Sequence, residues 1–253
     1  MKFTIVGTGN MAWFLTGKLV AAGHTCVAVY GRDITNATAL AKKTNTGANL
    51  LSDCVKVDAD CCIVAVSDSA IEEVVPFLPV DTTIIFTAGT IDMKRFTRFN
   101  NKAVLWPVYS IVKDNLPAHR NIPCVWEASD SNAKNIVLKI ANAITDITYE
   151  GDADKRKALH LGAVFSNNFS NHLFTIAEQW CKEQGLQFDM LKPIIQQTVD
   201  RLATASPHSL QTGPAKRGDE NTINKHLDLL QVHRDWQKVY EALTASILHT
   251  YNK

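Results

Sequence analysis

The chain has almost no net charge: across 253 residues, 26 Lys and Arg stand against 25 Asp and Glu, leaving +1 with neutral histidines. Nucleic-acid binders and membrane-surface proteins carry a basic excess, so neither nucleic acid nor a membrane is expected as a partner. No apolar run reaches the ~18 residues of a membrane span. The N-terminus enters strand-like sequence directly, without the basic-then-apolar pattern of a signal peptide, so a cytoplasmic location is expected. Cysteines are few, at positions 26, 54, 61, 62, 124 and 181. Adjacent residues on a strand point to opposite faces, so Cys61 and Cys62 cannot act as a metal pair, and no metal site is expected. Five of the six sit among apolar neighbours and read as small buried hydrophobes of a reducing compartment. Repeats and low-complexity segments are missing as well.

What is present is concentrated at the start. Lys2 to Val6 is a short apolar run that breaks into Gly7-Thr8-Gly9-Asn10-Met11-Ala12, followed by apolar residues at helical spacing (Met11, Phe14, Leu15, Leu19, Val20). Strand, tight turn and helix in that order, with a second strand ending Val29-Tyr30-Gly31-Arg32, form a dinucleotide-binding fingerprint. Gly7 makes the turn, Gly9 admits a pyrophosphate, and Ala12 keeps helix and strand close. The helix N-terminus offers unpaired N–H groups to the phosphates, so Gly7, Thr8, Gly9, Asn10 and Met11 are the candidate cradle. The carboxylate that an NAD site carries at the end of the second strand is absent. Arg32 stands there instead and can grip a 2′-phosphate, so NADP is the expected cofactor. Asp33 is acidic and adjacent, but it is placed to cap the next helix.

Up to about residue 150 the pattern alternates strand and helix, which predicts a mostly parallel, doubly wound α/β sheet. Later strands are expected at Ala48–Leu51, Asp60–Val66, Thr82–Thr87, Ala103–Trp106, Ile122–Glu127 and Ile147–Glu150, with helices at Ala70–Leu78 and Asn132–Ile144. Composition changes at Gly151-Asp152, and only helical patterning follows: a long segment Asp154–Glu183 stopped by Gly185, then Asp189–Ala203, Asn221–Leu230 and Asp235–Tyr251. The expected division is a nucleotide-binding domain over 1–151 and an all-helical C-terminal domain over 152–253, with a small-molecule substrate in the cleft between them.

Ligands of open parallel sheets lie beyond the carboxyl ends of the strands. Ser67 and Asp68 follow the fourth strand, Thr87 to Gly89 the fifth, and Trp106-Pro107-Val108-Tyr109-Ser110 the sixth. Ser67, Asp68 and Thr87 are candidates for the ribose and nicotinamide half. On a regular helix at 100° per residue, His160, Asn167, Asn168 and Asn171 share one face, while Phe165, Phe169, Leu173 and Ile176 form the opposite, core-facing stripe. His160 and Asn168 are the catalytic candidates, since an imidazole can move a proton near neutral pH and an amide can hold a carbonyl. Asn167 and Arg217 are candidates for holding substrate. Arg217 lies in the loop Thr212–Asp219, where Asp219 can either cap the following helix or orient Arg217.

These motifs carry a family resemblance. Gly7-x-Gly9-x-Met11-Ala12, Ala65 to Ile71, Thr87-Ala88-Gly89, His160-x-x-Ala163-Val164-Phe165-x-Asn167-Asn168 and Thr212-Gly213-Pro214-x-x-Arg217-Gly218-Asp219 resemble a little-characterised family of NADP oxidoreductases. Its members join a Rossmann-like domain to a C-terminal domain of the 6-phosphogluconate dehydrogenase type. More distantly, the N-terminal half is similar to pyrroline-5-carboxylate reductase and to deazaflavin-dependent NADP reductases. The resemblance implies a homodimer formed through the helical domain and a nicotinamide-binding cleft, but no particular substrate. There are two departures from the related pattern. β-Hydroxyacid dehydrogenases of this architecture use Gly-x-x-x-Lys-x-x-x-Asn, where the register from Gly162 gives Ser166 and Ser170. The family also tends to place His before the proline after the sixth strand, where Trp106 stands. The expected activity is hydride transfer between the nicotinamide and a small C=N or C=O compound. The alternative is a dimeric NADP-binding sensor or scaffold without turnover.

Overall fold

The computed structural model describes residues 1–54 and 58–251, so the last two residues of the expected helical domain lie outside it. Eight strands form one sheet: β1 (Lys2–Val6), β2 (Thr25–Gly31), β3 (Gly47–Leu50), β4 (Cys61–Val64), β5 (Thr83–Phe86), β6 (Lys102–Pro107), β7 (Cys124–Ala128) and β8 (Thr148–Glu150). Their order is β3-β2-β1-β4-β5-β6-β7-β8, parallel throughout except that β6 and β7 pair antiparallel. The chain moves outward from β1 to β3 and then returns to lay β4 on the other side of β1. That reversal is the crevice where open α/β sheets bind ligands.

The inner strands are buried on both faces because helices and loops cover each side. Phe3, Ile5, Ile63, Ile85 and Leu105 pack on one face with Phe14 and Leu15 of α1 (Asn10–Ala21), Leu40 of α2 (Ile34–Thr44) and Ile140 of α4 (Ser131–Ile144). Val6, Val64, Phe86 and Val104 point to the other face, where Leu78, Met93, Phe96 and Phe99 cover them. Here the sequence expectation needs correcting. The helix expected over Ala70–Leu78 is a single α-turn, α3 (Ile71–Val74), flanked by 3₁₀ turns, with Pro76 in the second of them. Proline has no N–H to continue the α ladder.

The chain divides into two compact units, Met1–Ser166 and Asn167–Lys253. The first includes α5 (Ala153–Ala163). The second contains α6 (Ser170–Glu183), α7 (Lys192–Arg201), two single-turn helices α8 (Pro207–Leu210) and α9 (Pro214–Arg217), α10 (Glu220–Leu229) and α11 (Arg234–Tyr251). A π-helical turn, Val164–Phe169, separates α5 from α6. Its i→i+5 bonding inserts a residue, so the uniform 100° phase assumed from His160 to Asn171 does not hold across it. The stripe expected to face the core is also not covered: Phe165 is 62% exposed and Phe169 51%. No helix among the described residues is long and apolar enough to cross a membrane.

All six cysteines are buried free thiols. Burial pushes Cys26 up to about 11 and Cys124 up to about 12, so neither is a thiolate at neutral pH.

Among the described residues, one charged side chain is fully buried. Arg156, on the first turns of α5, has no solvent exposure and ion-pairs with Glu127 of β7 at 2.6 Å. The same guanidinium donates to the carbonyls of Gly151 (2.8 Å) and Ile91 (2.6 Å), which ties the loop after β5 to β7 and to the start of α5. Replacing one partner of a buried pair leaves the other charge uncompensated. Arg156→Met is therefore expected to lower unfolding free energy by about 3–5 kcal/mol, measured by urea denaturation. A loss below about 1 kcal/mol, the value of an exposed pair, would show that the clamp carries no weight.

Candidate active site

The site begins at the carboxyl end of β1. Gly7 adopts φ +117°, and a Cβ there would lie 2.2 Å from the carbonyl oxygen of Ala65, so only glycine can make this turn. Its N–H donates to the Tyr30 carbonyl (2.9 Å), and Ala65 N–H donates to the Val6 carbonyl (2.8 Å), which stitches the ends of β2, β1 and β4 together. Gly9 differs, since a Cβ there would meet open space. It precedes α1, whose first turn has no side-chain cap and no acidic residue. Its leading N–H groups and positive dipole end are therefore available to an anion.

A cavity of about 350 Å³ opens in front of this turn, lined by Gly7, Thr8, Gly9, Arg32 and Ser67 among the expected residues. Tyr30, Asn36 and Leu51 line it as well. Burial pushes the Tyr30 phenol up to about 12, so it stays neutral. Asp33 caps α2, accepting from the N–H groups of Thr35 (2.7 Å) and Asn36 (3.4 Å), so its charge is engaged by a helix N-terminus. Arg32 is paired with Glu73 of α3 at 3.0 Å, a contact that nothing in the local sequence announces. An uncapped helix N-terminus, an unobstructed glycine and a strand-end arginine around one cavity fit a phosphorylated dinucleotide.

The other expected cofactor residues lie outside that cavity. Asn10 turns its side chain to the segment after β6, accepting from the Lys113 N–H at 3.1 Å. Met11 is half-buried against the core of the sheet. Asp68 accepts a hydrogen bond from the Thr90 hydroxyl. The Thr87 hydroxyl is buried and donates to the Val64 carbonyl at 3.1 Å. Beyond it, a Cβ on Gly89 would come within 2.7 Å of the Trp106 indole, so the glycine makes room for that ring. Trp106 also meets the exposed imidazole of His160, ring centroids 5.6 Å apart. The structure thus brings His160 to Trp106 at the end of β6. Trp106 at this place is an apolar packing surface and holds no titratable proton. A second pairing at this end joins the Tyr109 hydroxyl to His119 Nε2 at 3.1 Å.

Asn167, Asn168 and Arg217 belong to the second unit. Both asparagines lie in the π turn and are exposed. In the Thr212–Asp219 segment, Gly213 (φ +106°) and Gly218 (φ +66°) take backbone conformations that favour glycine. Asp219 caps α10 through Thr222 N–H (3.0 Å) and Thr222 Oγ1 (2.7 Å), which holds its carboxyl below the usual range. Its contact with Arg217, at 4.0 Å, is the weaker of the two roles.

Residues 2–85 match the family described as NADP oxidoreductase, coenzyme F420-dependent, and residues 122–247 match a domain of unknown function, DUF2520. No curated protein matches. Among solved structures, a "putative NADP oxidoreductase" from Bacteroides fragilis is 32% identical, with 98% of each chain covered and a TM-score of 0.89. A reductive aminase from Aspergillus terreus, solved with NADPH and ethyl levulinate, is 18% identical over 97% of this chain and 92% of that one, with a TM-score of 0.70. The 1-pyrroline-5-carboxylate reductase of Streptococcus pyogenes is 15% identical over 98% of both chains, with a TM-score of 0.66. The last two share the fold. Identity with the Bacteroides protein over nearly the whole length, together with the two family matches, places this chain in that NADP oxidoreductase family.

Proposed function

We propose that the protein is an NADPH-dependent reductase of small C=N or C=O compounds. The observation that carries the reading is the cavity lined by Arg32 and by the Gly7–Gly9 turn, which leads into the uncapped α1. When bound there, the reduced nicotinamide supplies a hydride to the substrate carbon. The Gly7–Gly9 turn and the α1 N-terminus hold the pyrophosphate, and the Arg32 guanidinium holds the 2′-phosphate. Ser67 and Thr87 flank the nicotinamide half from the ends of β4 and β5. As the hydride arrives, the substrate's π pair moves to nitrogen or oxygen, and His160 delivers a proton to that atom. Asn168 orients the substrate, with Asn167 and Arg217 on its polar or anionic end. Likeness of fold to a reductive aminase and to a 1-pyrroline-5-carboxylate reductase supports the C=N class.

The second unit supports self-association as part of the proposal. Of its apolar residues only Cys181, Ala215 and Ile223 are buried, whereas Met190 (71%), Ile194 (61%) and Val232 (79%) stand exposed. Apolar surface on that scale calls for a cover, and a two-fold partner is the commonest. The expected mass by light scattering is twice the chain's 27.9 kDa; a single-chain mass at micromolar concentration would refute the dimer.

Two further measurements test the chemistry. Calorimetric titration is expected to show NADPH binding more tightly than NADH. Arg32→Ala should cost on the order of 1.5–3 kcal/mol of NADPH affinity and little for NADH, the scale of a charge-assisted hydrogen bond. Equal affinities in the unaltered protein would remove the NADP assignment. With NADPH and a panel of cyclic imines, ketones and aldehydes, turnover is expected for at least one member. His160→Ala should lower that turnover by ~10²–10⁴-fold and leave cofactor binding intact. Binding without turnover across the panel would favour the sensor.

A further inference from the structure

Asp33, the acid just beyond β2, is engaged in capping α2, but the fold delivers a second carboxylate from elsewhere. α3, following β4, places Glu73 Oε2 at 3.0 Å from Arg32 Nη1. We infer that Glu73 is a specificity-determining residue that opposes Arg32, so that the site's preference for a 2′-phosphorylated dinucleotide is smaller than Arg32 alone would make it. This rests on the reading that Arg32 receives the 2′-phosphate.

The placement is specific. A second cavity of about 390 Å³, lined by Gly31, Arg32, Leu50, Leu51, Glu73 and Phe77 among others, adjoins the one in front of the glycine turn. Gly31, Arg32 and Leu51 border both, so Arg32 lies where the two cavities meet. Glu73 borders only the outer one and meets Arg32 there. A phosphate that reaches the guanidinium therefore arrives within a few ångströms of a carboxylate.

Two consequences follow from charge alone. A 2′-phosphate must displace Glu73 from Arg32 or bind beside a like charge, and both weaken it. A free 2′-hydroxyl faces no such repulsion and can donate to the same carboxylate, as it does to a strand-end acid in NAD sites. Arg32 and Glu73 side chains are 69% and 64% exposed, so neither is held in place by burial and the pair can open.

The neighbouring glutamate supplies a control. Glu72 sits one residue away on the same short helix but turns to Arg95, at 2.9 Å, and borders neither of these cavities. Glu72→Gln and Glu73→Gln each remove one negative charge from α3 and keep the side-chain shape. Only the second should alter discrimination between cofactors.

The test is the dissociation constant of NADPH and of NADH for the unaltered protein, Glu73→Gln, Glu72→Gln and Arg32→Ala. Glu73→Gln is expected to tighten NADPH ~3–10-fold, with NADH unchanged or weakened, and the gain should shrink at high salt. Glu72→Gln should leave the NADPH-to-NADH ratio where it was. A Glu73→Gln variant that moves both cofactors equally, or no more than Glu72→Gln does, overturns the inference. Arg32→Ala separates the two levels. If it costs NADPH affinity while Glu73→Gln leaves the ratio unmoved, only the role of Glu73 fails. If it costs none, the reading of Arg32 fails and the inference with it.

Discussion

The candidate site depends on one steric constraint, the contact of the Gly7 backbone with the Ala65 carbonyl. A methyl group at residue 7 would sit 2.2 Å from that oxygen, well inside any van der Waals limit. Because it is absent, the ends of β1 and β4 close together at the point where the strand order reverses. Hydrogen bonds from Gly7 to Tyr30 and from Ala65 to Val6 then draw the end of β2 into the same edge. The Gly7–Gly9 turn that leads into α1, Arg32 and Ser67 line one cavity at that closure. Any side chain here would push β1 and β4 apart and dismantle the cavity with them.

A different kind of constraint orders the far side of the sheet. Beyond β5 the chain is irregular, and irregular backbone keeps its shape only when its polar groups are satisfied. Arg156 satisfies two carbonyls, those of Ile91 and Gly151, and neutralises Glu127 from a position with no solvent access. Such a group stabilises a structure only as long as every partner is in place. Gly89 and Trp106 add a packing constraint next to it, since the indole fills the space a side chain at residue 89 would need. His160, one α-turn after Arg156, inherits its position from both: the buried guanidinium anchors its helix, and the indole edge sets where its ring stands.

What the sequence makes legible follows from how local each cause is. The Gly7–Gly9 turn, the cap at Asp33 and the buried strands at β4 and β5 depend on residues adjacent in the chain, and each is readable from composition and spacing. The cap at Asp219 belongs to the same class, because its partner Thr222 lies one turn away. The Arg32–Glu73 pair joins residues 41 apart, so no local pattern contains it. Arg156 is hidden for a second reason: it sits in the run Asp154-Lys155-Arg156-Lys157, which by composition is a solvated helical face. The π turn at Val164–Phe169 has no compositional mark either, and a phase argument carried across it places side chains on a helix of the wrong pitch.

The two units also differ in what a periodic pattern can mean. In the first, the apolar faces of α1, α2 and α4 find their cover in the sheet, so amphipathic spacing translates directly into burial. In the second, α6, α7 and α11 have the same kind of spacing but keep much of their apolar surface exposed. Periodicity reports that a face is apolar; it does not report which chain covers it. Phe169 illustrates the difference, being apolar at the expected interval and still 51% exposed. A stripe that reads as core in the sequence therefore stays open in the single chain, because the spacing fixes the character of a face and not its burial.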